Sequence, residues 1–378
     1  MNPRPTPHPT STDSVWLRAR ASRLGTDAAR VDDDLPDRSD VVVVGGGLAG
    51  LLTAWRLRAT GRSLQLNSYE NRVFQVMLED GEAVVAKFYR PARWSDAQIV
   101  EEHAFALELA EAEVPVVAPC LMDRRSARVQ LLPERGPATL ALRPCASGVH
   151  RYALSPRRAG RSPELEDDAV LVRLGGFIGR LHAVGARRPF THRRTLHAPR
   201  DAREAVALLQ AGDFVSDNQR DSWAAACAEA IACIDAAFAA CEPTSIRLHG
   251  DCHPGNLLWR DAGAHVVDLD DACMGPAVQD LWMLLSGEPE AMAWQLRLLL
   301  RGYAPFMDFD RAELSLIEPL RLLRMIRHNA WVAQRWQDPA FPAAFPDFGS
   351  SGYWGQQALQ LREQVRLAAE TPSLASLM

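Results

Sequence analysis

The stretch SIRLHGDCHPGNLLWRDAGAHVVDLDD sets His249, Gly250, Asp251, His253 and Asn256 in one loop, followed by Asp268, Asp270 and Asp271 in the next. A carboxylate such as Asp251 can orient a hydroxyl and accept its proton. An amide oxygen and a second carboxylate can hold a hard divalent cation, and Mg2+ takes only one or two protein carboxylates when phosphates supply other ligands. Together these are the needs of phosphoryl transfer, which asks a protein for charge neutralisation and positioning more than for covalent steps. Asn256 follows Asp251 closely enough for one loop to present both. Asp268 ends an apolar strand through Val266 and Val267, a rigid support beside that loop. Alone, HGD or DLDD is an ordinary polar turn; the ordered set HGDxHxxN plus a strand-borne aspartate is far more specific.

Other elements must bring a cation and a scaffold to these acids. Lys87 interrupts the apolar strand AVVAKFY, and burying an unpaired ammonium is costly, so an acidic partner or a phosphate is expected against it. The run from Leu64 to Phe88 alternates as a strand meander with its turn at Glu79-Asp80-Gly81. Ser95 is placed to cap a helix over Ala97–Ala112. Val114–Pro119 reads as extended and Ala138–Arg143 as a further strand. From about Ala146 the pattern predicts helices: a buried one over Ala169–Val184, carrying His182 as a core histidine, then two amphipathic ones over Arg200–Ala240. The fold class expected is therefore α+β, a strand-rich part at 64–145 and a mainly helical part at 146–378.

Around the island, Asp280 opens a helical stretch and is expected to cap it or meet its dipole. His253 either contacts phosphate or packs. The basic residues Arg187, Arg188, Arg193 and Arg194, with His192 and His197 nearby, suit a solvated loop or the attraction of an anionic substrate segment.

Composition narrows the class. The net charge of -5 argues against a chain that mainly grips nucleic acid or an anionic membrane. No apolar run of spanning length is evident, and the first residues lack the order of a secretory signal. The seven cysteines are scattered without a CxxC pair, so reduced cytosolic thiols, mostly packing residues, are expected; the chain is also expected to be a cytoplasmic monomer.

With these residues in view, the sequence resembles the aminoglycoside-phosphotransferase-like kinases, a branch of the bilobal protein-kinase-like fold. The likeness runs from about Leu66 to the C-terminus through LNSYENRV, VAKFYRPARWSDAQIVEEHAFALEL, RLHGDCHPGNLLWRD, VDLDDACMGPAVQDLWMLL and DPAFP with the later YW. It implies ATP as co-substrate and Mg2+ as cofactor. It implies that Asp251 accepts the substrate proton, that Asn256 and Asp268 hold Mg2+, and that Lys87 reaches the ATP phosphates. Glu102 becomes the expected ion-pair partner of Lys87, with Glu101 its competitor. By the same resemblance Asp280, and His249 in the same manner, are expected to brace the loop. Asn67–Arg72 becomes the phosphate-covering hairpin, glycine-free here, with Ser68 as an ATP contact. The nearest branch implies Ser/Thr hydroxyls of proteins as acceptors and a stress response; a small alcohol such as an aminoglycoside, choline or homoserine is the alternative.

A second motif points elsewhere. Gly45-Gly46-Gly47-Leu48-Ala49-Gly50 follows Val41–Val44 and opens a helix-like stretch, as in the start of a flavin-dependent oxidoreductase. The further βα units that would enclose a dinucleotide are missing, and Glu70, at the ribose-binding distance, belongs to the kinase-like hairpin. Residues 1–63, disordered to about 39 with at most a short helix at Val15–Leu24, are therefore read as foreign to the rest: a fusion, a truncated neighbour or a misassigned start.

Overall fold

The computed structural model describes residues 57–66, 68–124, 129–145, 148–260 and 263–370. The glycine cluster, the stretch before it and Asn67 lie outside the described residues.

Alternating side chains build the first lobe. β1 (Ala59–Leu66), β2 (Arg72–Leu78), β3 (Ala83–Phe88), β4 (Gln130–Leu132), β5 (Leu140–Cys145) and β6 (Gly148–Pro156) form one antiparallel sheet in the order β1-β2-β3-β6-β5-β4. Val76, Leu78, Val84, Ala86 and Phe88 bury one side of the meander, where Phe88 stacks on Tyr152 at 5.6 Å. The alternate residue of β3, Lys87, pairs across the ladder with Val73 and Ala153. On that second side α1 (Asp96–Glu111) lays Ile99 against Ala153, Leu140 and Leu142. Ser95 caps α1 in a capping box with Gln98.

The sheet starts at Ala59, ahead of the boundary expected at 64. The expectation that the chain turns helical at 146 is corrected: β6 extends the strand-rich part to Pro156. Tyr152, Ala153 and Leu154 are buried in succession, because β6 is covered on both sides and shows no alternation to read.

The second lobe comprises α2 (Asp168–Gly185), α3 (Ala198–Ala211), α4 (Asp217–Cys241), α5 (Gln279–Trp282), α6 (Pro289–Tyr303), α7 (Ile317–Gln334), α8 (Ala340–Ala344) and α9 (Ser351–Glu370). By length and mean hydropathy alone α4 is comparable to a bilayer-crossing helix, but Glu229 and Asp235 interrupt it, so it holds no uninterrupted apolar run of spanning length. In the fold α4 packs on α3, α7 and α9, with Trp223 against Trp354 at 5.2 Å.

Between these helices lie two small ribbons, β7 (Ile246–Leu248) with β10 (Cys273–Gly275) and β8 (Leu257–Arg260) with β9 (Gly263–Val266). The link leaving the first lobe is bonded to this island: Val117 N donates to Val266 O and Val266 N to Pro115 O, both at 2.9 Å. The cysteines whose side chains are described carry free thiols.

Candidate active site

Asp280, at the start of α5, organises the loop after β7. Its carboxylate accepts from His249 N at 2.7 Å and Gly250 N at 2.8 Å. His182 Nε2 lies 3.1 Å from the same carboxylate, and Tyr303 Oη lies 3.0 Å from His182 Nδ1. Asp280, His249, His182 and Tyr303 are buried, so the negative charge is met by fixed donors rather than water. His249 ties the halves of the island together: Nδ1 accepts from Asp251 N at 3.2 Å, which leaves Nε2–H to donate to Val267 O at 3.0 Å. Gly250 sits at φ 83°, and a Cβ there would stand 2.2 Å from Asp271 O, so this position admits only glycine.

The loop thereby aims Asp251. Arg324 Nη1 lies 2.9 Å from its Oδ1 and His253 Nε2 3.4 Å from its Oδ2. Burial alone would raise the Asp251 carboxyl, but the Arg324 guanidinium and the His253 ring outweigh it and hold it well below the usual carboxylate range. Asn256 donates Nδ2–H to Asp251 O at 3.0 Å, leaving its amide oxygen to another partner, while its backbone carbonyl accepts from Val267 N at 3.0 Å.

Asp268 follows at φ 63° and ψ 63°, the left-handed region that a non-glycine residue enters at a cost and that recurs at functional sites. Its side chain is half-exposed. Lys87 Nζ crosses from the first lobe to lie 3.1 Å from Asp268 Oδ1 and 3.0 Å from Asp270 Oδ1. Burial opposes the Lys87 charge, yet the two aspartates more than restore it and raise its pKa well above the usual value. The buried Asp270 carboxylate also receives Arg93 Nη1 at 2.5 Å and Asn71 Nδ2 at 3.2 Å.

Lys87 therefore meets the acidic cluster, but the pairing expected with Glu102 is not formed and is corrected. Asp270 takes the ammonium instead, because the short turn Leu269–Asp271 seats it directly beneath β3. Glu102 stays buried with one oxygen unpartnered, and burial pushes its carboxyl up to about 7 against the pull of Lys87. Glu101 is turned elsewhere: its carboxylate accepts from the backbone N–H groups of Thr191, His192 and Arg193. The basic loop is accordingly tied down, not simply solvated. Arg193 donates to Ala272 O at 2.9 Å and lies over the Trp94 ring at 4.2 Å, while Arg194 pairs with Asp201 at 3.0 Å.

Ser68 Oγ accepts from Asn71 N at 3.2 Å, which shapes the β1–β2 turn. The tip of that turn reaches the helical lobe. Tyr69 packs on Trp331, Phe341 and Phe345 at about 6 Å. Glu70 binds Arg93 at 2.9 Å and also Arg335 and Trp331 Nε1, and Arg90 joins Tyr69 O to Asp338. Arg93 and Arg324 were not found from sequence, since no local spacing connects them to the island; for Asp270 the doubled acid in DLDD was the available signal.

Among the described residues no three His, Cys, Asp or Glu side chains form a self-sufficient metal cage. The oxygens of Asn256 and Asp268 suit a hard cation that completes its shell with phosphate and water.

A model of the phosphotransferase enzyme family (APH) matches residues 64–317, more than half of the chain. The chain belongs to this family. Among its relatives, stress response kinase A of Escherichia coli (strain K12) is 40% identical over 307 residues, covering 81% of this chain and 88% of the relative. Serine/threonine protein kinase RdoA of Salmonella typhimurium is 42% identical over 314 residues with the same coverage. Among solved structures, amicoumacin kinase hAmiN in complex with AMP-PNP, Ca2+ and Ami aligns with TM-score 0.61 at 17% identity, covering 88% of this chain and 96% of the other. A microcompartment-associated aminopropanol kinase gives TM-score 0.61 at 16% identity, covering 87% and 97%. These low identities speak to fold, and the APH phosphotransferase fold is the bilobal α+β kinase-like architecture that the sequence led us to expect.

Proposed function

We propose that this phosphotransferase moves the γ-phosphate of ATP to Ser or Thr hydroxyls of protein substrates, as a cytoplasmic monomer acting in a stress response. One observation carries the assignment: Lys87 of the sheet lobe stands 3.1 Å and 3.0 Å from Asp268 and Asp270 of the helical lobe, beside the loop that aims Asp251. The kinase names of the relatives at about 40% identity support protein acceptors.

In this reading Asp251 orients the acceptor hydroxyl and takes its proton as the new O–P bond forms. The bond between the γ-phosphorus and the bridging oxygen breaks, and its electron pair leaves with ADP. A carboxylate held so firmly ionised suits orientation and late proton transfer, in keeping with a loose transition state. Asn256 and Asp268 would hold Mg2+, which when bound neutralises phosphate charge. Lys87, released in part from the aspartates, contacts the ATP phosphates, and Ser68 with the backbone of its turn covers them. Glu102 stays close enough to Lys87 to help set its position.

The test is incubation of the purified chain with γ-labelled ATP and Mg2+ against separate panels of proteins and small alcohols. Label is expected on Ser and Thr of proteins. Label confined to a small alcohol would overturn the acceptor assignment, and transfer undiminished in Asp251→Ala would overturn the role of Asp251.

A further inference from the structure

Lys87 faces two carboxylates, and its single charge matches only one of them. The Asp268 side chain is 52% exposed and open to a divalent cation, whereas that of Asp270 is 4% exposed beneath β3. The reading above gives Asp268 to Mg2+, which leaves Asp270 to the lysine. A lysine alone with a buried carboxylate is a neutral pair, and a neutral pair attracts phosphate weakly.

Arg93 changes that balance. It comes from the loop between β3 and α1, and its side chain is 12% exposed. Its Nη1 lies 2.5 Å from Asp270 Oδ2, while Lys87 Nζ lies 3.0 Å from Oδ1. Asn71 Nδ2 adds a neutral donor to Oδ2 at 3.2 Å. Burial alone would raise the Asp270 carboxyl, but Lys87 and Arg93 outweigh it and hold it well below the usual carboxylate range. Arg93 also meets Glu70 at 2.9 Å and Asp271 at 2.8 Å. Those two acids depend on it less, because Glu70 is also bound by Arg335 and Asp271 is 39% exposed to water. Of its three partners, Asp270 is the most buried and most needs the guanidinium.

Two cations on the two oxygens of one carboxylate leave a net positive charge. We propose that Arg93 is a positioning residue for phosphoryl transfer: it neutralises Asp270, so that Lys87 rests against that carboxylate yet keeps its charge for the nucleotide phosphates. This rests on the phosphate contact of Lys87 in the function proposed above.

The experiment titrates the full chain with ATP and with adenosine, which carries no phosphate. Each displaces a fluorescent ADP analogue in the presence of Mg2+, and the ratio of the two affinities is the readout. General loosening of the fold weakens both ligands and leaves that ratio alone. Lys87→Met should lower the preference for ATP by roughly tenfold or more, the scale of hydrogen bonds to charged groups. Arg93→Gln, whose amide can still donate to Asp270, should lose most of the same preference. Arg93→Lys, which restores the charge without the fork, should keep it within about threefold of the wild type. The deciding chain carries Arg93→Gln and Asp270→Asn together. It removes the uncompensated carboxylate along with the arginine and should regain most of the preference, whereas a merely structural arginine would leave the double variant no better than the single. Asp270→Asn by itself should hold the preference at or above that of the wild type.

A preference that survives in Arg93→Gln but falls in Lys87→Met overturns the proposal and leaves the lysine contact standing. So does a double variant that regains nothing. A fall of more than about threefold in Asp270→Asn alone also overturns it, since Asp270 would then anchor Lys87 without needing to be neutralised, and this arm decides even where Arg93→Gln does not fold. An undiminished preference in Lys87→Met would remove the phosphate contact itself, and the role of Arg93 with it.

Discussion

The loop at 249–256 and the hairpin tip at 68–71 approach the same cleft, but they are held by opposite means. The loop is braced from within its own lobe by a chain of buried groups, Tyr303 to His182 to Asp280 to two backbone amides. The tip is held from the other lobe by rings and ion pairs that keep partial contact with solvent, Tyr69 on three aromatic rings and Glu70 among arginines. Burial makes the first hard to undo, whereas water and salt compete for the second. Under the proposed function, the part that would place the reacting atoms is immobilised, and the part that would admit a nucleotide is fastened releasably.

The comparison can be broken at its rigid end first. Asp251→Ala should lower turnover by about a hundred- to ten-thousand-fold, the usual worth of a positioned acid-base group, while the variant still binds ADP. Steady-state rates with a nucleotide titration decide this, and a loss of less than tenfold would remove Asp251 from the chemistry. Asp280→Ala strips a buried carboxylate from three donors at once. It should cost about 3–5 kcal/mol in denaturant unfolding, and a cost below about 1 kcal/mol would show that the brace is dispensable.

Glu102, buried near Lys87 and Asp270, gives a pH signature. Its carboxyl ordinarily titrates at 4.5 and is pushed up to about 7 here, so the folded state keeps a proton that the unfolded chain has lost. The stability it contributes is complete below about pH 4.5 and disappears as pH rises through about 7. Relative to Glu102→Gln, the wild type should therefore lose stability between about pH 5 and about pH 8. Buried Glu313, also pushed up to about 7, slopes the same way in both proteins and cancels in the difference. A pH-independent difference would mean that Glu102 is not buried as an acid. The smallest change is expected at the tip: Tyr69→Ala should cost about 1 kcal/mol of stability, the scale of aromatic pairs. It should also speed association of a fluorescent ATP analogue in stopped flow, and an unaltered rate would deny the tip a role in admission.

The island was legible because its chemistry is local: HGDxHxxN and the acid after Val267 lie within one short stretch, and the strand-interrupting Lys87 announced a need for counter-charge. Helix α1 was legible through Ser95 and its periodicity. Lys87 contacts Asp270 and not Glu102 because of how the Leu269–Asp271 turn sits beneath β3, a tertiary fact that spacing does not encode. Arg93 and Arg324 reach the site from a loop after β3 and from α7, where ordinary arginines abound. β6 was hidden by being covered on both sides.

The suture between the inter-lobe link and β9 has a mechanical consequence. Pro115 and Val117 grip Val266, the last residue before the pair Val267 and Asp268, and Val267 in turn holds the backbone of Asn256. Both proposed magnesium ligands thus hang from one short lever whose handle is the tether between lobes. In the proposed reaction a swing of the small lobe would pull on Asn256 and Asp268 together, which would couple opening of the cleft to release of the metal-nucleotide pair.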